Sequence, residues 1–99
     1  MKIALFILFA NAANMELYTK NCETCHGANL DGNGPSAPYL NPRPRNLLKD
    51  KFKFGDSVTE IEKTIKEGLP GTSMPPFGFL SDKERTDLAA WIHGLRNKQ

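Results

Sequence analysis

Cys22-Glu23-Thr24-Cys25-His26 is the stretch on which the reading of this chain turns. Two thiols separated by two residues, with an imidazole directly after the second, form the pattern of covalent haem attachment. Chemistry dictates the spacing. Each thiol adds across one vinyl group of the porphyrin to give a thioether, and two intervening residues set the thiols over neighbouring vinyls. The histidine is then carried beneath the iron, where a ring nitrogen can ligate. Other uses of a cysteine pair ask for partners this sequence lacks. A thioredoxin-like dithiol belongs in a βαβ context. A structural zinc site needs a second ligand pair, and only His93 remains to supply it. A plain disulfide suits an exported protein but leaves His26 without a role.

Upstream of the motif, Lys2 gives a positive start, Ile3 to Ala10 is an unbroken apolar run, and Ala10-Asn11-Ala12 fits small-x-small cleavage. This predicts a secretory leader over 1–12 and a mature domain over 13–99. The run is too short to span a bilayer, which needs roughly 20 apolar residues. The alternatives are a weak peripheral anchor, a misplaced start and an ordinary buried helix. At 99 residues the chain holds one domain, and its net charge of +2 is unlike that of a nucleic-acid binder. A core this small often needs a covalent or metal aid.

Three segments read as helices. The first opens near Asn14, a good N-cap residue, and runs through Leu17 and Tyr18 to the attachment motif. The second starts at the capping box Ser57-Val58-Thr59-Glu60. Val58, Ile61, Ile65 and Leu69 recur along it, and Gly68 and Pro70 stop it. The third starts at the capping box Ser81-Asp82-Lys83-Glu84, carries the stripe Leu88, Trp91, Ile92 and Leu95, and ends in Arg96 and Lys98, matching the helix dipole. Tyr18 and Trp91 are expected where the first and last helices cross. No strand signal is convincing. From Gly27 to Gly55 the chain is irregular, with Pro35, Pro38, Pro42 and Pro44. A loop of this length in a compact domain needs something to organise it, and a flat apolar cofactor would do so.

A second iron ligand is expected. Met15 sits in the first helix and is placed to pack. His93 reads as a half-exposed surface residue. Met74 lies in the Gly/Pro-rich loop Gly71-Thr72-Ser73-Met74-Pro75-Pro76-Phe77, where Pro75 stiffens the chain; it is either the ligand or a loop methionine filling a gap. Arg43, Arg45 and Asn46 are candidates for the haem propionates, since an arginine fork suits a carboxylate; a solvated basic loop is the alternative.

Taken together, Cys22 to Gly27, the Gly32-Asn33-Gly34-Pro35 turn and the methionine loop resemble the class I c-type cytochromes with a single haem. The order of parts over nearly all of 13–99 is similar as well. The methionine loop and the Arg43–Leu47 run are similar to cytochrome domains that serve oxidases and nitrogen-oxide reductases. The resemblance implies an all-α cytochrome c fold, with three main helices and a long loop wrapped around one haem c. It assigns the distal ligand to Met74 and gives the carbonyl of Pro35 the task of accepting the His26 ring N–H.

The function expected is that of an electron-transfer protein, not an enzyme. It cycles haem iron between Fe(III) and Fe(II) in an exported respiratory chain, and a methionine ligand favours the reduced metal. A fixed subunit of a larger oxidase or reductase is one alternative, and a haem-based sensor another. The expected partners are transient redox proteins, a donor and an acceptor, met at a haem edge near Ala28, Pro76 and Phe77. No nucleic acid and no transmembrane helix are expected. The chain is expected to be monomeric and periplasmic or otherwise exported, soluble or peripherally membrane-associated.

Overall fold

The structure, a computed structural model, describes residues 2–98, with side chains from Ala12 to Lys98. Helix α1 spans Lys2–Asn21, α2 is the single turn Glu23–His26, α3 spans Val58–Glu67 and α4 spans Asp82–Arg96. A 3-10 turn at Ala37–Tyr39 lies between α2 and α3, and the described residues contain no strand. The all-α expectation holds.

Both capping boxes form. Ser57 Oγ accepts from the Glu60 amide at 3.1 Å while Glu60 Oε1 accepts from the Ser57 amide at 3.2 Å. At α4 the matching bonds are 3.0 and 2.9 Å, between Ser81 and Glu84. Each box satisfies amides that a helix start leaves without intrahelical partners. Ile61 and Ile65 of α3 join Leu88, Ala89 and Ile92 of α4 in the core, and α1 crosses α4. Tyr18 and Trp91 mark that crossing, with ring centroids 5.6 Å apart. The buried Tyr18 hydroxyl donates to the Gly27 carbonyl at 2.5 Å, which ties the crossing to the attachment motif.

The first helix differs from the reading. Asn14 lies inside α1 and is buried, so it is not an N-cap. Ala10, Ala12 and Ala13 are strong helix formers, and no proline or glycine interrupts the chain before Gly27, so the helix continues through Asn14. The expected leader, 1–12, falls almost wholly on residues whose side chains lie outside the description. Met15 is 56% exposed rather than packed.

The long loop is organised by its own backbone. The amides of Gly32, Gly34 and Ser36 donate to the carbonyls of His26, Cys25 and Thr24, groups that a one-turn helix leaves free. Gly34 is required there, since a Cβ would stand 2.3 Å from the Thr24 carbonyl oxygen. Further along, the Leu47 amide donates to Leu30 O at 2.8 Å, and both leucines enter the core. Arg96 then grips the loop from α4. It donates to the Leu47 and Asp50 carbonyls and covers the Phe52 ring, 4.1 Å from its centroid. Its role at the end of α4 is therefore more than a match to the dipole.

Candidate haem site

A cavity opens between α2, the long loop, α3 and the segment joining α3 to α4. It encloses about 150 Å³ and is open to solvent at its mouth. Cys22, Cys25, His26 and Met74 all line it. Pro44, Leu47, Ile61, Ile65, Leu69 and Phe77 make its walls largely apolar. The two cysteines are free thiols, not a disulfide. Burial, with Cys25 as a neighbour, pushes the Cys22 thiol up to about 12, so it stays protonated.

His26 is oriented by the long loop. Its Nδ1 lies 3.0 Å from the Arg45 carbonyl oxygen. A carbonyl can only accept, so Nδ1 carries the proton and Nε2 keeps its lone pair. Burial disfavours the cationic ring and lowers the pKa of His26, with the Arg45 bond opposing in part. A neutral imidazole with one nitrogen held by a backbone acceptor has the form of a metal ligand. The acceptor is Arg45, however, and not Pro35 as the resemblance implies. Pro35 is exposed and stands off the cavity wall. It belongs to the turn whose Gly34 and Ser36 amides bind α2, so its neighbours support the motif through amides rather than through its carbonyl.

Met74 lies on a strap that runs from the end of α3 to the start of α4. The Thr72 hydroxyl donates to Leu69 O at 2.7 Å and accepts from the Met74 amide at 3.2 Å. The Leu69 amide donates to Met74 O at 3.2 Å, and the Phe77 amide reaches back to Ile65 O of α3 at 2.9 Å. Gly68, at φ +71°, ends α3 and lets the strap pass close. A Cβ there would stand 2.8 Å from the backbone of Pro75 and Pro76. His93 does not line the cavity; its Nδ1 donates to Asp56 O at 2.9 Å.

Of the candidate propionate partners, Arg43 and Arg45 line the cavity and Asn46 does not. Asn46 is occupied in a turn. Its Oδ1 accepts from the Leu48 and Lys49 amides at 3.0 and 3.1 Å. Arg43 donates to Asn33 Oδ1 at 2.8 Å. Arg45 differs: its Nε is buried and has no hydrogen-bond partner within the protein. A buried unpaired donor is costly, and one on the wall of this cavity fits an anionic group of a bound cofactor. The residues present therefore fit a haem: two thiols, a ring-oriented neutral histidine, a thioether and an unpaired guanidinium donor around one apolar cleft. Phe52 and Phe54 also line it, unanticipated in the sequence reading. Their aromatic character beside the Pro-rich run was the available signal. Among the described residues no cluster of three His, Cys, Asp or Glu could hold a metal ion, and no helix is long and apolar enough to cross a membrane.

A family model, cytochrome c oxidase, cbb3-type, subunit III, matches residues 10–92. The cbb3-type cytochrome c oxidase subunit FixP of Rhizobium etli is 32% identical over 98 residues, covering 90% of this chain and 31% of that protein. Cytochrome c-550 of Bacillus subtilis is 33% identical over 88 residues, covering 88% of this chain and 61% of its relative. The chain thus spans about a third of the FixP length. Among solved structures, a chain of the reducing HAO-like protein complex of Kuenenia stuttgartiensis superposes with a TM-score of 0.74 at 26% identity, over 84% of this chain and 41% of that one.

Proposed function

The chain belongs to the family of cbb3-type cytochrome c oxidase subunit III, and from that premise we propose that Cys22 and Cys25 would hold one haem c covalently, with His26 and Met74 as the residues that would hold its iron. The observation that carries this reading is the convergence of Cys22, Cys25, His26 and Met74 on one cavity, with Nδ1 of His26 already engaged by Arg45. The haem, when bound, supplies one-electron Fe(III)/Fe(II) chemistry. The chain's own residues do the rest. The Arg45 carbonyl holds the Nδ1–H of His26 and so leaves the Nε2 lone pair free to ligate. Arg45 Nε, and Arg43 at the cavity mouth, offer donors for the propionates. Ile61, Ile65, Leu69 and Phe77 keep water from the cleft, and Met74 provides a soft sulfur that favours the reduced metal.

In this role the protein is a one-electron carrier of an exported respiratory chain, working in the periplasm or an equivalent compartment after loss of residues 1–12. It meets a donor and an acceptor transiently. The match to FixP favours a second reading, a fixed subunit or domain of an oxidase complex. Acid-acetone extraction of the matured protein tests the attachment. Colour that stays with the polypeptide in wild type, and washes out of a Cys22→Ala, Cys25→Ala double variant, is the expected result. Haem that washes out of wild type overturns it.

A further inference from the structure

Arg85 occupies a place where an apolar residue is expected. It stands in the first turn of α4, on the same stripe as Leu88, Ala89 and Ile92, and like them it is buried, with 3% exposure. The positive end of the helix dipole disfavours a cation there, and removal of a guanidinium from water is costly unless its donors are matched.

They are matched in a directed way. Nε donates to Glu62 Oε2 of α3 at 2.8 Å, and Nη2 pairs with Asp82. Nη1 donates to the Leu80 carbonyl and reaches the Gly78 carbonyl at 3.4 Å. Gly78 and Leu80 are the far end of the strap that carries Met74. Pro75 and Pro76 have no amide hydrogen to donate, so between Met74 and Gly78 the backbone tie to α3 is the Phe77 amide on Ile65 O. A salt bridge serving only to join α3 to α4 would need Glu62 and no strap carbonyl.

We propose that Arg85 is a positioning residue for Met74: its buried guanidinium, oriented by Glu62, clamps the Gly78 and Leu80 carbonyls and holds the methionine strap closed over the cavity. This rests on the reading of Met74 as the distal ligand. Release of the clamp lets the strap lift, and an external ligand then competes with the thioether more easily.

Imidazole binding to the oxidised, haem-loaded protein tests this, read as the affinity from an optical titration, with urea unfolding of the same samples alongside. Arg85→Gln should bind imidazole about tenfold more tightly than wild type or better, the scale of one charge-assisted hydrogen bond. Arg85→Lys should recover part of the closure. Lys83→Ala, which removes an exposed pair with Asp87, should leave the affinity unchanged. If Arg85→Gln does not mature, Glu62→Gln keeps the guanidinium but loosens its aim, and it should show a smaller rise in the same direction. An imidazole affinity unchanged in Arg85→Gln or, failing that, in Glu62→Gln, with only the urea midpoint lowered, overturns the clamp. Met74→Ala separates the two ideas. If it binds imidazole far more tightly while Arg85→Gln does not, the ligand stands and the clamp falls. If it binds no more tightly than wild type, the ligand assignment fails and takes the clamp with it.

Discussion

On the histidine side of the cavity, three alternate loop amides, those of Gly32, Gly34 and Ser36, donate to the carbonyls of His26, Cys25 and Thr24, and a fourth bond runs from the His26 ring to Arg45. On the methionine side the chain passes through Pro75 and Pro76, which donate nothing, and the strap is tied by the Thr72 hydroxyl, the Phe77 amide and the reach of Arg85. The histidine also follows directly on a cysteine proposed to be covalently attached, whereas Met74 is held by the strap alone. One proposed ligand is thus built into a backbone ladder and the other is carried on a tether. Exchange of ligand is expected on the methionine side only, and stability against unfolding should depend more on the histidine side.

The two glycines, one for each side, give the sharpest way to break this contrast. Gly34→Ala puts a Cβ 2.3 Å from the Thr24 carbonyl oxygen, backbone against backbone. It should destabilise the protein by roughly 1–3 kcal/mol or more, read as a fall in the urea midpoint, and lower the yield of haem-loaded protein. Gly68→Ala meets the Pro75–Pro76 backbone at 2.8 Å and strains a φ of +71°. It should push the strap outward, so imidazole affinity rises along with a stability loss of about 1 kcal/mol or more. Equal imidazole affinity in the two variants would remove the contrast.

Thr72→Val is the gentler probe of the tether. It deletes the hydroxyl that bonds Leu69 O and the Met74 amide, at a cost of about 1 kcal/mol, and imidazole titration should find a modestly looser strap. Ser57→Ala removes the cap of α3, away from both ligands, and should cost about 1 kcal/mol in urea unfolding with imidazole affinity unchanged. A change in affinity there would mean that any loss of stability loosens the strap.

Much of this architecture is legible in the residues. The Cys-x-x-Cys-His motif, the two capping boxes and the Tyr18–Trp91 crossing each have a side-chain pattern that points to one arrangement. What escapes is carried by backbone groups or by long side chains. Every residue has a carbonyl, so nothing in the letters favours Arg45 over Pro35 as the acceptor for His26. Asn46 reads as a polar partner for a propionate, but it stands off the cavity wall, its Oδ1 accepting from two amides of the local turn, as short polar side chains often do. Asn14 reads as a cap because Asn suits that place, and a run of strong helix formers ahead of it overrides the preference. A charged side chain such as Arg85 favours the surface on its chemistry alone. The spacing from 85 to 88, 89 and 92 does place it on the buried face, but only the positions of Glu62, Gly78 and Leu80 explain how a guanidinium is kept there.

The central claim is that Met74 completes the iron site that His26 begins, and the absorption spectrum of the oxidised protein tests it most directly. A weak sulfur-to-iron charge-transfer band at the red end of the visible range is expected in wild type, in His93→Ala and in Met15→Ala, and its loss is expected in Met74→Ala. A wild-type protein without the band, or a Met74→Ala variant that keeps it, would contradict the account.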